Sequence, residues 1–477
     1  MRPNSAIVIG AGFAGLSAAI ELAREGVAVT VFEALATAGG RAQRILEQGF
    51  AFDLGPTLIV MTDLLRRTLG EEAFTALNLV RLEPGYEVRW PNGDHFALHS
   101  DIALALAEFA RFEGPMRSSR ALRYLADVQE ALTDAQRNIL ERDHTLASFA
   151  RSMLSPGRVR PWVLGNLRKF TERYFSHPRV IQALTFQSLY LGTSPLRSPA
   201  MYALLPVNEC IGGVWHAPGG TGAIVDACVR QAERLGVEFV YHTRVDRVEK
   251  HDHGVRVYTD ATHVDADALV ITADRETAMR HLFGTTSPPR ERPMRYGHSA
   301  AVWYFGLRRP IHLPYHTVFL PEDPWHAYAQ LDAGRIPNEP MLYVCNPSSH
   351  DSSVAPAGGS ALLVLSPVPN RTKVRDLDTA SLREAVIERL ERDVGPIRDF
   401  LVFERMRGPR EFADELGLMH GAAFGPDHTL DQMAAFRPSI AHPHHANIVF
   451  AGSGTRPGSG IPMVLISGRL AAERLLQ

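Results

Sequence analysis

Three glycines at fixed spacing, Gly10-x-Gly12-x-x-Gly15, stand where the apolar run Ala6–Ile9 gives way to the Ala- and Leu-rich segment Leu16–Arg24. A second apolar run, Val27–Phe32, follows and ends on Glu33 and Ala34. Periodicity predicts strand, tight turn, helix and strand, with strands apolar throughout, as a parallel sheet covered on both faces requires. Gly10 would permit the reversal, Gly12 would let the backbone approach a diphosphate, and Gly15 would let the helix pack on the strand. Phe13 and Ala14 then open the helix, whose free N–H groups suit a phosphate charge. Such a triplet alone is a weak signal in a chain with 38 glycines. Glu33 strengthens it, because an acidic side chain at the end of the second strand can accept both hydroxyls of an adenosine ribose.

The next turn, Gly39-Gly40-Arg41, and the element Gly49-x-x-x-Asp53-x-Gly55, continued by Pro56 and Thr57, suit a second approach to the same diphosphate. Arg41 would cancel charge that the helix dipole cannot neutralise alone. With these residues the chain resembles the flavin-dependent amine oxidase and desaturase superfamily, whose FAD fingerprint runs on past the acidic residue into both elements. The resemblance narrows to the bacterial phytoene desaturase family through four stretches. They are Phe52-Asp53-Leu54-Gly55-Pro56-Thr57; Gly213-Val214-Trp215 through Gly219-Gly220-Thr221-Gly222-Ala223; His420-Gly421-Ala422-Ala423-Phe424 with Phe436-Arg437-Pro438; and Gly452-x-Gly454-Thr455-x-Pro457-Gly458-x-Gly460-Ile461-Pro462. Arg456 and Met463 stand where the family pattern has His and Gly.

The resemblance implies FAD as cofactor and an α/β fold: a Rossmann-like FAD-binding domain (GR2 type), discontinuous in sequence, with an inserted α+β substrate domain carrying a mixed sheet and a helical, membrane-facing region. Changes of texture along the chain put the FAD-binding domain at 1–60, 210–285 and 440–477 and the substrate-binding domain at 61–209 and 286–439. Val245 would offer backbone groups to the adenine, or simply pack in a sheet. Gly452 and Ser453 would pass close to the ribityl chain. The first turn of the closing helix, with Ile461, Pro462 and Met463, would aim its N–H groups at the pyrimidine edge of the isoalloxazine and favour the reduced flavin. His420 is the one catalytic candidate, approaching the substrate channel or serving as a structural hydrogen-bonding histidine.

The reaction so implied is FAD-dependent desaturation of a long isoprenoid hydrocarbon, phytoene or a later carotene, or of a hydroxylated or diapo carotenoid. Hydride would pass to flavin N5 and a proton would leave the adjacent carbon, with oxygen or a quinone reoxidising the flavin. Two other readings share the fold. An amine oxidase usually places a lysine near N5, and this chain has three lysines, Lys169, Lys250 and Lys373, none beside a flavin motif. A flavin-free prenyl-lipid-binding protein would not need Gly10, Gly12, Gly15, Glu33 and Arg41 intact.

A hydrocarbon presents no hydrogen-bonding handle, so its binding must come from apolar burial in a long tunnel, at about 25 cal/mol per Å². Val180, Ile181, Leu184, Phe186, Leu189, Tyr190 and Leu191 are candidate wall residues or ordinary helix core. Fifty Lys plus Arg against 52 Asp plus Glu leave a net charge of −2, so nucleic acid is not an expected partner. Cys210, Cys228 and Cys345 are too widely spaced for a disulfide framework or a Cys-x-x-Cys site and read as buried thiols. His442, His444 and His445, and His251 with His253, lack zinc-site spacing and read as surface histidines; no metal is expected. Without a signal-like segment or a run of 18 apolar residues, the expected location is cytoplasmic, peripherally associated with the inner face of the cell membrane. Arg151, Arg158, Arg160, Arg168, Lys169 and Arg173, interleaved with Trp162, Phe170, Tyr174 and Phe175, would rest on an anionic bilayer, or form a solvated face with its aromatics in the core.

Overall fold

The computed structural model describes residues 2–143, 161–251, 254–284 and 293–477. Its first layer is a five-stranded, wholly parallel sheet built from β1 (Ser5–Ile9), β2 (Ala28–Phe32), β3 (Glu238–Val240), β4 (Ala268–Ile271) and β5 (Ile448–Phe450), in the order β5-β4-β1-β2-β3. Both ends and the middle of the chain therefore meet in one sheet, with Ile7 beside Leu269 and Leu269 beside Ile448. Its central strands are buried on both faces, which is why they read as unbroken apolar runs.

Three helices cover this sheet: α1 (Phe13–Arg24), α2 (Gly220–Arg234) and α3 (Ile461–Leu476). Small residues set how closely they approach. A Cβ on Gly15 would lie 2.0 Å from the Gly10 carbonyl oxygen, and one on Gly468 would lie 2.2 Å from that of Ala14. Ser17 adds a hydroxyl bond to the Leu465 carbonyl at 2.8 Å, locking α1 to α3. The first and last helices are thus in backbone contact, which brings the two ends of the sequence to one site.

The second layer is a seven-stranded mixed sheet. Its order is Leu401–Arg407, Ser299–Leu307, Ser360–Val368, Leu342–Cys345, His316–Phe319, Tyr86–Arg89, His95–Leu98, with one parallel pair where His316–Phe319 meets Tyr86–Arg89. The last two strands form a hairpin over Pro91-Asn92-Gly93. Thr379–Val394, a helix, packs Leu382, Val386, Ile387 and Leu390 against Trp303, Phe305 and Val364. A helical region that includes Ile102–Glu113, Ser118–Ala135 and Leu204–Gly212 packs on the Tyr86–Arg89 and His95–Leu98 end of this sheet. Asp101 caps the first of these, accepting from the Ala103 and Leu104 N–H groups at 2.8 and 3.0 Å.

One expectation changes: the texture from about residue 286 to 436 predicts strands alternating with Pro-rich loops, yet this stretch contains the helices Pro324–Asp332 and Thr379–Val394. In the basic aromatic segment, Phe170 and Phe175 are buried, Trp162 stacks on Phe170 at 4.0 Å, and Tyr174 donates to Asp127. Phe170 and Phe175 thus belong to the helical core, with Trp162 and Tyr174 partly buried against it. Arg151, Arg158 and Arg160 lie outside the described residues, as does His253.

Candidate active site

A cavity of about 970 Å³ opens between the two sheets. Of the residues assigned above to the cofactor, Gly15, Gly49 and Asp53 do not line it, and neither does His420. Gly15 is a packing residue, pressed against the Gly10 carbonyl. His420 is exposed, its ring set edge-on to Tyr296 and its carbonyl bonded to the Arg371 N–H at 3.0 Å, so the structure assigns it no part in the cavity.

One end of the cavity is made of glycine turns and helix termini. Gly10 takes a positive φ of 99°, open to glycine at little cost, and turns the chain from β1 into α1. Gly12 is the N-cap of α1, and a Cβ there would meet nothing nearer than the Gly39 oxygen at 3.9 Å. The second turn closes on the first through the Gly39 N–H and the Ala11 carbonyl, 2.9 Å apart. Glu33 is buried, with one oxygen accepting from the Ala11 N–H at 2.8 Å and the other from the Leu35 N–H at 2.9 Å. Each carboxylate oxygen keeps a second lone pair for a further donor.

Arg41 spans the site, donating to the Ala423 carbonyl at 2.9 Å and to the Ser453 hydroxyl. Asp274, which caps the helix Arg275–Phe283 through the Thr277 N–H, stands on the same wall and partly offsets the burial that lowers the Arg41 pKa. Asp53 plays a different part from that expected of a phosphate-side element. It accepts from Thr221 and Gly222 N–H groups at 2.7 and 3.0 Å and so caps α2, while burial raises its pKa to about 6. Gly55 permits the following turn to pass the Arg41 carbonyl, where a Cβ would lie 2.1 Å from the oxygen.

The closing loop completes this end. The Gly452 N–H bonds the Ser467 hydroxyl at 3.0 Å, and a Cβ at Gly452 would stand 3.7 Å from the Ala14 Cβ. Arg437, 1% exposed, donates to the Thr455 and Ser453 carbonyls at 3.1 and 2.5 Å and holds the loop in place. Arg456 lines the cavity and pairs with Asp143 at 3.0 Å, tying the loop to the helical region. Ile461, Pro462 and Met463 form the first turn of α3, whose earliest N–H groups have no acceptor within the helix.

The other half of the cavity is walled by apolar side chains, among them Leu132, Met201, Leu205, Val318, Met341 and Leu363. Of the candidate wall residues, Phe186, Leu189, Tyr190 and Leu191 line it, while Val180, Ile181 and Leu184 are buried helix core. None of the three lysines touches it. His428 lines it as a buried neutral imidazole: Nδ1 bonds the Leu191 carbonyl at 2.9 Å, and burial beside Arg437 holds its pKa well below the ordinary range. Thr57 bonds the Tyr343 hydroxyl, which in turn reaches His316 Nδ1 at 2.7 Å. Val245 begins an antiparallel three-stranded sheet and borders the cavity.

Glu209 is a carboxyl group in this apolar half, held by Gln187 Nε2 at 3.0 Å. Burial raises its pKa from the ordinary 4.5 to about 8, against the opposing pull of Gln187. Between those two values the folded protein keeps a proton that the unfolded chain has released, so stability falls as pH rises through that window. Glu209→Gln is expected to melt several degrees above the parent at pH 8 and to converge on it near pH 5. Thermal scans in the two buffers measure this.

Of the histidines read as surface groups, His251 and His444 are exposed and His442 departs from that reading. His442 is buried, stacked between His445 and Phe450, with its pKa lowered to about 4 by burial and neighbouring histidines. His251 sits near Asp265 at 3.8 Å on an exposed sheet. Among the described residues no group of three metal-capable side chains converges, and no helix is long and apolar enough to cross a membrane. Cys210, Cys228 and Cys345 are buried free thiols.

Solved structures share this architecture. An oxidoreductase from Methanosarcina mazei superposes with a TM-score of 0.66 at 16% identity, covering 97% of this chain and 98% of that one. A cyclohexylamine oxidase from Brevibacterium oxydans gives 0.61 at 16% identity, covering 99% of each chain. Curated relatives are more similar in sequence. A zeta-carotene-forming phytoene desaturase of Myxococcus xanthus is 34% identical, spanning 98% of this chain and 93% of its own length. A carotenoid 3,4-desaturase of Haloarcula japonica is 32% identical, spanning 98% and 97%. The family model described as flavin containing amine oxidoreductase matches residues 13–476. With glycine turns, helix termini and an acidic strand end converging on one cavity, the chain belongs to the flavin-containing amine oxidoreductase family.

Proposed function

We propose that the protein is an FAD-dependent carotenoid desaturase, an oxidoreductase acting on CH–CH bonds of a long isoprenoid chain. The observation that carries this reading is the continuity of the cavity: a turn-and-helix cradle at one end runs directly into an apolar corridor with no lysine on its wall. The cradle fits FAD. The space beside Gly12 is open, Glu33 retains two lone pairs for ribose hydroxyls, and the N-terminus of α1 together with Arg41 suits a diphosphate. Gly10, Gly12, Phe13, Ala14, Ala34, Gly40, Gly55, Pro56 and Thr57 would shape that part of the site. Gly452, Ser453, Ile461, Pro462 and Met463 would face the flavin ring, and Val245 the adenine. We assign the FAD-binding domain to residues 1–60, 210–285 and 440–477, and the substrate domain to 61–209 and 286–439.

When bound, FAD supplies the acceptor for a hydride removed from a saturated carbon. The chain's own residues do the rest. The first turn of α3 presents N–H groups where negative charge would collect. Leu132, Met201, Val318 and Leu363 exclude water and align the isoprenoid chain by burial alone. His428 stays neutral and fixes Leu191 and Ser459 around the same space.

We place the enzyme peripherally on the inner face of the cell membrane, where such substrates partition. Exposed Met116, Leu122 and Leu164 on the helical region support that contact. Oxygen or a quinone would reoxidise the flavin. The test is incubation of the holoenzyme with liposomes carrying phytoene, hydroxylated carotenes or diapocarotenes under defined acceptors, with products separated by chromatography. New conjugated double bonds are expected, and no new conjugation from any of the three would reject the reading.

A further inference from the structure

A purely hydrocarbon ligand needs nothing from a wall but apolar area, yet this wall carries a carboxyl bonded through one oxygen only and a tyrosine hydroxyl with no hydrogen bond. Glu209, 5% exposed and lining the cavity, has one oxygen bonded to Gln187 Nε2 at 3.0 Å. That amide nitrogen is fixed in turn by the Tyr86 hydroxyl at 2.7 Å, which donates to the Ala183 carbonyl at 3.1 Å. Among the described residues the second Glu209 oxygen has no hydrogen-bond partner. Tyr190 also lines the cavity; its hydroxyl is buried, makes no hydrogen bond, and lies within electrostatic reach of Glu209. The Tyr190 ring packs edge-on to Tyr343 at 6.0 Å, and the Tyr343 hydroxyl meets Thr57. Asn208, next to Glu209, borders the same space.

We infer that Glu209 and Tyr190 receive a hydroxyl group carried by the isoprenoid chain, so that the preferred substrate is an oxygenated carotenoid in place of an all-hydrocarbon one. This rests on the desaturase reading and names its substrate class. A hydroxyl matches the pair: Glu209 accepts from Gln187 on one oxygen and, protonated, carries its O–H on the other, so the ligand oxygen has two lone pairs to take the Glu209 and Tyr190 O–H groups. Burial keeps Glu209 neutral below pH of about 8, which suits an uncharged ligand and leaves no charge in the corridor. An ammonium group would require Glu209 ionised among apolar neighbours, with a single amide donor to stabilise it. A hydrocarbon end would leave both groups unpaired, the situation in which a built polar site discriminates most strongly.

The experiment offers the FAD-loaded enzyme, in liposomes, one acyclic carotene and the same carotene bearing a tertiary hydroxyl near one end. The ratio of kcat/KM values is compared, and binding of each chain is read separately from the perturbation of the flavin absorption spectrum. The hydroxylated chain is expected to be favoured by roughly tenfold or more. Tyr190→Phe and Glu209→Leu should each bring the ratio towards one by raising KM for the hydroxylated chain, and Glu209→Gln should recover part of it. Should Glu209→Leu fold poorly, Tyr190→Phe, which removes a single oxygen, carries the test. Equal or reversed preference in the parent enzyme overturns the inference, as does a ratio unmoved by either variant with FAD content normal. If neither chain is desaturated, the desaturase reading falls, and the binding preference still decides for or against the hydroxyl site. Oxidation of an alkylamine in preference to both chains overturns the two together.

Discussion

Gly12→Val yields a folded protein that does not retain FAD. A Cβ at Gly12 meets no protein atom within 3.9 Å, so the fold has room for the side chain. That same room is where a diphosphate must approach the N-terminus of α1, and two added methyl groups fill it. Gly15→Val is the contrasting variant. Its Cβ would lie 2.0 Å from the Gly10 carbonyl oxygen, a backbone atom that cannot move aside, so this protein should fail to fold. Flavin released by acid and counted per chain, alongside circular dichroism, separates the two cases. Stoichiometric flavin in a folded Gly12→Val protein would contradict the site as drawn.

Arg437→Met has the second largest expected effect, although Arg437 does not line the cavity. The guanidinium is fully buried, lowered to a pKa of about 10 by that burial, and its fork bonds two successive parts of the closing loop. Removing it strips donors from two buried carbonyls, each worth about 1–3 kcal/mol. Loop and cofactor order each other, so the loss should appear as FAD dissociating on the order of 100-fold more readily, with a lower melting temperature. Arg437→Lys should recover little, because one ammonium cannot reproduce a planar fork. Dilution into buffer with flavin fluorescence as readout measures this. Unchanged flavin affinity would show that the loop holds its shape without the clamp.

Much of the cradle was legible because it is local: a glycine triplet, an acidic strand end and a Pro near the start of a helix are readable within a few residues. The sheet that joins both ends also follows from short apolar strands, each recognisable by itself. What could not be read depends on contacts between distant segments. Arg437 stood in a quoted motif, but its purpose is visible once Ser453 and Thr455 are beside it. Glu209 sits in an unremarkable helical stretch, and nothing in its neighbours announces that its carboxyl enters a cavity. His420, by contrast, lies in a motif yet faces solvent, because its φ of 57° turns the chain there. The helix Thr379–Val394 is hidden in the sequence by its Pro-containing flanks, although Asp378 caps it and its apolar residues recur at helical spacing. Phe170 and Phe175 look amphipathic in sequence and are core in space, because the helices that bury them come from a different part of the chain.

The central claim is that one bound FAD sits between the two chain ends with its ring open to the apolar corridor. Anaerobic mixing of the purified holoenzyme with isoprenoid-loaded liposomes, followed by flavin absorbance, tests it most directly. One flavin per chain should be bleached by the isoprenoid and none by a short alkylamine. Bleaching by the amine, or a flavin that stays oxidised beside every isoprenoid offered, would contradict it.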